Sequence, residues 1–326
     1  MKQKGGLPAG GVTVWIRAGV YSRTHSFALS ADDSGKPEGR IVYRGYGNET
    51  RLVGGKQIGG FVPVKDPAIL ARLCPEACQN VLHVDLRAQG VANLGELRSR
   101  GVRPVSPSHL QVFFNGENMQ LPRYPKEGFL KIAGVPEQPP VGDGSDTKIG
   151  ALERGFLYDG DRPKAWKKDD NIWVHGYWSW DFANSYERVA DIDTSQHLVR
   201  TAPPYGLYNF RIGQRFFFLN ILEELDQPGE YYLDKASGIL YFWPPAPIKG
   251  HEVFVSVLEE PLVVMSDVSY VTLRNLTFEF GRATAIEVKG GKEDVFGACT
   301  VRHMGNCGIV IEGGSGHRVD GCDIYD

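Results

Sequence analysis

The chain has 326 residues, 42% of them apolar, with 36 basic against 39 acidic side chains and a formal charge of −3. That is enough apolar material for one large core or two moderate ones. With no Lys/Arg run interleaved with aromatics, the charge balance argues against nucleic acid as a partner, and no apolar run is long enough to cross a membrane.

The opening MKQKGGLPAGG has lysines but no apolar stretch behind them, so no signal peptide is read in this chain. VTVWIRAGVY alternates Val12, Val14 and Ile16, and RIVYRGYGNETRLVGG supplies two more short strands. Residues 1–58 are thus predicted to be strand-built coils. A middle region, 59–256, has a different grammar. DPAILARLCPEACQ reads as one short helix with Asp66 as its cap and Pro67 in its first turn. Asn115-Gly116 between apolar runs signals a hairpin. YYLDKASGILYFW, closed by Gly238, and VADIDTSQHLVR predict two more, and NILEELDQPG predicts a helical turn ended by Pro228. Hairpins mean antiparallel pairing, so an inserted β-sandwich with one or two short helices is expected here.

From 257 to 326 a repeat governs the chain. Ile286-x-Val288-x-Gly290-Gly291 recurs 23 residues on as Ile309-x-Ile311-x-Gly313-Gly314, and Cys299-x-Val301 recurs as Cys322-x-Ile324. A weaker copy stands upstream at Val263-x-Met265 and, at a spacing of 24, Asn275-x-Thr277. A fixed period with strand-like alternation signals a solenoid. Three short strands and Gly-rich corners need roughly 20 to 25 residues, the size of one coil of a parallel β-helix. Equivalent residues then stack about 4.8 Å apart, placing Cys299 and Cys322 as neighbouring buried thiols. Cys74 and Cys78 are left either paired or reduced, and Cys307 has no evident partner. The chain stops inside this pattern, which leads us to expect a fragment of a longer solenoid with an open, self-associating end.

GGVTVWIRAGVY, EGRIVYRGYGNETRLVGG, VHGYWSWDFANSYERV, NILEELDQPGEYYLDKASGILYFWPP and VRHMGNCGIVIEGG together resemble secreted bacterial right-handed parallel β-helix proteins of the pectin-lyase-like type. Within that group the sequence is most similar to glycoside hydrolase family 141. The resemblance implies an all-β protein acting on plant or microbial polysaccharides or oligosaccharides, extracellular or periplasmic, needing no cofactor. It also implies that the paired catalytic acids lie beyond Asp326, so no catalytic residue transfers to this chain. A polysaccharide lyase, the only reading that brings in calcium, and a non-catalytic glycan-binding or adhesin solenoid are the alternatives. The sequence leaves the oligomeric state open.

Glycoside hydrolysis needs two carboxyl groups flanking the bond, and stacked coils supply suitable spacings. Counting by register puts Glu279, His303 and Asp326 in one column, with Phe278, Arg302 and Tyr325 beside it. These polar residues are candidate substrate contacts, against the alternative of a solvated polar stack. Trp178 and Trp180, placed on one face of a strand, are a candidate sugar platform, against the alternative of sandwich core. The scattered His residues have no zinc-ligand spacing. EGGSGH is read as a repeat corner, not a phosphate loop, because KGGKED occupies the equivalent place. Asp320, Asp323 and Asp326 could bind calcium, but alternation points Asp323 away from Asp326.

Overall fold

A computed structural model describes residues 7–47, 49–98, 106–136, 149–168 and 171–326; the opening MKQKGG falls outside them. The protein is all-β, with parallel and antiparallel sheets. Among the described residues no helix is long and apolar enough to cross a membrane.

Three parallel sheets carry the repeat. The first stacks Val12–Ile16, Ile41–Gly45, Val271–Arg274, Val295–Gly297 and Arg318–Asp320. The second stacks Gly19–Ser22, Thr50–Val53, Thr277–Glu279, Thr300–Arg302 and Asp323–Tyr325. The third stacks Phe27–Ser30, Val263–Ser266, Ile286–Lys289 and Ile309–Glu312. The chain visits the sheets in rotation. Each sheet contributes one inward ladder to a shared core: Tyr43–Leu273–Phe296, Leu52–Phe278–Val301 and Leu29–Met265–Val288. Alternation forces this, because a strand shows every second residue to one side. Cys299 and Cys322 meet as expected, with the Cys299 amide 3.4 Å from the Cys322 sulfur.

The corners explain the glycine pairs. Asp267, Gly290 and Gly313 all take left-handed φ values (54°, 69° and 73°), one per coil. A Cβ on Gly291 would lie 1.7 Å from the Val268 carbonyl oxygen, so the second glycine is required by close approach of backbones.

The parallel pairing resumes directly beside the strands where it stopped. Thr277, Phe278 and Glu279 pair in parallel with Arg51, Leu52 and Val53, although more than two hundred residues intervene. The intervening chain leaves through a neck in which Gly55–Gln57 pairs antiparallel with Val253–Ser256. Beyond the neck, one core is shared by two four-stranded sheets. The first contains Val112–Phe114 and Val253–Ser256, the second Leu82–Asp85, Tyr231–Asp234 and Ile239–Phe242. A separate core, rich in Phe156, Phe216 and Phe218, lies on one side of a seven-stranded sheet that includes Trp173–Gly176, Ser185–Asp193 and Arg215–Leu219. Smaller buried clusters lie around Leu73, Ala77, Leu222 and Tyr232 and around Leu97, Trp173 and Leu219.

All three hairpins form: Phe114 pairs with Glu117, Tyr231–Asp234 with Ile239–Phe242, and Ser185–Asp193 with Leu198–Ala202. The expected single helix is two, Pro67–Leu70 and Pro75–Asn80. Pro75 holds Cys74 in extended backbone and makes it the cap of the second helix. The Asp66 carboxylate caps the first by accepting from the Ala68 amide. Leu222–Glu224 makes the turn anticipated before Pro228. All five cysteines are free thiols.

Candidate functional site

The register corrects the predicted polar column. Glu279 pairs with Arg302, and Arg302 with Tyr325, whereas His303 stacks beside Phe280 and stands next to Asp326. The offset is 23 residues throughout, not 24, because Leu276 and Phe278 must point inward above Cys299 and Val301. Glu279, His303 and Asp326 therefore do not share a column.

On the outer side of the second parallel sheet, Glu279 is fully buried, so its oxygens need partners. One accepts from Arg51 Nε at 2.5 Å and the other from Arg302 Nε at 2.7 Å. Arg51 also donates to Glu252 at 2.9 Å, a residue just before the outgoing strand of the neck. Burial alone would lower both guanidinium pKa values. For Arg51 the hydrogen bonds to Glu252 and Glu279 outweigh it, and for Arg302 the attraction of Glu279 does, so both stand above the usual arginine value.

An aromatic wall closes one side. Phe113, from the inserted hairpin, stacks on Phe280 at 4.2 Å and tilts toward the His303 ring at 5.8 Å. His303 Nδ1 lies 3.3 Å from an Asp326 oxygen. Tyr325, half exposed, sets its ring edge-on to His303 at 6.2 Å. Glu279 thus fixes two partly exposed cations, and Glu252, Tyr325 and Asp326 of this cluster also meet solvent. The arrangement can bind a polar, hydroxyl- or carboxylate-bearing ligand. Glu279, with both oxygens engaged and no exposed surface, is a positioning residue. Among the described residues no group of three or more His, Cys, Asp and Glu side chains is placed to hold a metal ion.

The tryptophans separate. Trp178 is buried in the core of the seven-stranded sheet, where its Nε1 donates to Ser185 Oγ at 2.8 Å, while Trp180 is 47% exposed with the Arg211 guanidinium 4.9 Å from its ring centre. They share no face because the chain leaves extended strand after Gly176. Sequence reasoning missed Arg51, Glu252 and Phe113. An outward Arg beside the inward Leu52 was a usable signal, but only tertiary stacking sets Arg51 beside Glu279.

The segment LEELDQPGEYYLD is a structural clamp. Glu223 meets Arg72 at 2.7 and 3.0 Å. Glu224, almost fully buried, accepts from Arg162 at 2.6 Å and Trp166 at 2.7 Å. Lys126 bridges Asp226 and Glu230, each at 2.8 Å. Burial nevertheless raises the Glu230 carboxyl above its ordinary pKa. Glu223 and Glu224 tie the turn after the first helix to the core of the seven-stranded sheet, through Arg72 and Trp166.

No protein-family model and no curated protein matches the chain. A solved structure titled "Glycoside hydrolase" is similar to it, with a TM-score of 0.68 and 17% identity over 96% of this chain and 58% of that one. At that identity the likeness is one of fold, and the chain spans well under two thirds of the length of that structure.

Proposed function

We propose that this chain is part of a secreted polysaccharide-degrading glycoside hydrolase, near family 141, built on a right-handed parallel β-helix. Residues 1–58 and 257–326 form its coils, and 59–256 its inserted domain. The fold likeness to a glycoside hydrolase structure over 96% of the chain is the observation that carries the reading. The three inward ladders and the cationic cluster on the outer side of the second sheet support it. In this reading Arg302, Tyr325 and Asp326 contact the sugar, Glu279 and Arg51 hold Arg302 in place, and the carboxylate pair comes from coils stacked beyond Asp323–Tyr325.

The test is product analysis with the full-length protein on plant and microbial polysaccharides. Reducing-end release without unsaturated sugar supports hydrolysis. Unsaturated product would make the protein a lyase, and binding without turnover would make it a glycan-binding solenoid. Arg302→Ala is expected to raise KM more than it lowers kcat.

A further inference from the structure

The seven-stranded sheet has two unlike sides. Phe216, Phe218 and Val174 face its core and are fully buried. Alternation turns Lys131, Arg215, Phe217, His175 and Tyr186 to the other side. On that side His175, Phe217 and Tyr186 are partly buried, Phe217 and Tyr186 against Leu97, Trp173 and Leu219, and the exposed Phe129 joins their edge. Phe129, 42% exposed, lies 5.7 Å from Phe217 and 6.2 Å from Tyr177, and the His175 ring lies 4.9 Å from Phe217 and 4.5 Å from Tyr186. Guanidinium groups lie against the rings: Arg215 is 3.8 Å from the centre of Tyr177 and Arg123 is 3.7 Å from that of Phe217. Arg215 also meets Asp181 at 2.5 Å. Asp181, Arg215, Lys131 and Arg211 line an open hollow of about 410 Å³, and Arg211 carries the patch on to the exposed Trp180.

We infer that this side of the seven-stranded sheet is a second glycan-binding surface, selective for an acidic oligosaccharide whose uronate groups pair with its cations. The exposed rings of Phe129 and Trp180 present apolar faces that match the C–H faces of pyranose units. Arg215, already braced on Tyr177 and on Asp181, lines the hollow and can meet a carboxylate at little further entropy cost. Lys131, Arg211 and Arg215 line the hollow together with Asp181, which Arg215 holds. A nucleic-acid reader would instead need a basic groove that tracks a phosphate backbone, and the chain has a net charge of −3. The inference does not rest on the hydrolytic reading, because the patch and the Glu279 cluster belong to different sheets.

Calorimetry of the full chain with oligogalacturonate, a neutral xylo-oligosaccharide and a single-stranded oligonucleotide tests it without needing turnover. Oligogalacturonate is expected to bind, with affinity lowered about tenfold by Phe129→Ala or Arg215→Ala, and several-fold by high salt as the charge pairs are screened. Lys131→Ala, at a partly solvated strand end, should weaken binding several-fold without touching the core, which keeps the test sound if Arg215→Ala folds poorly. Arg302→Ala should leave this binding unchanged. The inference is overturned by no binding of oligogalacturonate, by equal affinity for the neutral sugar, or by tighter binding of the oligonucleotide. It is equally overturned if Arg302→Ala removes the binding while Phe129→Ala and Lys131→Ala keep it.

Discussion

Replacing Glu279 by Ala probes a buried charge cluster of the parallel sheets. The carboxylate is fully buried, and its two bonds of 2.5 and 2.7 Å reach guanidinium side chains that are 19% and 25% exposed. At an effective dielectric of about 20, each such pair is worth roughly 4 kcal/mol of attraction, set against several kcal/mol for removing the ions from water. Deleting the carboxylate keeps that cost and loses the attraction. Arg51 retains Glu252, so most of the penalty falls on Arg302. The partial exposure of both cations admits water and puts the loss near the low end for a broken buried pair, about 3 kcal/mol. That corresponds to a Tm lowered by roughly 5 °C. Glu279→Gln, which keeps the volume and one acceptor, should lose less. Urea unfolding of Glu279→Ala, Arg302→Ala and the double variant measures the coupling, expected to exceed about 1 kcal/mol. A single Glu279→Ala variant within about 0.5 kcal/mol of the parent, or additive effects in the pair, would refute the reasoning.

Two further predictions follow from burial. Burial pushes His175 down to about 4, with a hydrogen bond to Asn184 opposing it and the Arg123 charge adding to it. The unfolded chain therefore binds a proton that the folded one refuses. The associated stability is complete above pH 6.5 and is lost as pH falls from there toward about 4. His175→Phe should flatten the Tm-against-pH curve across that window, and an unchanged slope would count against it. Burial likewise pushes the Cys299 thiol up to about 12, whereas Cys307 is exposed. A chromogenic disulfide reagent should thus label Cys307 first and Cys299 only on unfolding; early loss of Cys299, followed by mass spectrometry of the labelled peptides, would contradict the packing described.

Local patterns were legible wherever neighbouring residues alone settle the outcome. The echo from Ile286–Val301 to Ile309–Ile324, the Asn115-Gly116 turn, the Asp66 cap and the Gly290-Gly291 corner all form as the sequence indicates. Each depends on alternation, on left-handed φ or on a capping oxygen, and these act over a few bonds. The same period placed Cys299 over Cys322, because equal coils stack equal positions.

The candidate site depended on more distant contacts. An error of one residue in the weak upstream copy moved Glu279 from Arg302 to His303, since a strand turns over with every residue. Trp178 and Trp180 look equivalent in sequence and end in opposite environments, because the strand stops at Gly176. Arg51 and Phe113 reach the Glu279 cluster from before and within an insertion whose length carries no information about where it folds back. The sequence determines which residues alternate and where the chain must turn. Which coil lies on which, and so which charges share a buried cavity, is set by packing between segments far apart in the chain, where a single-residue shift exchanges inside for outside.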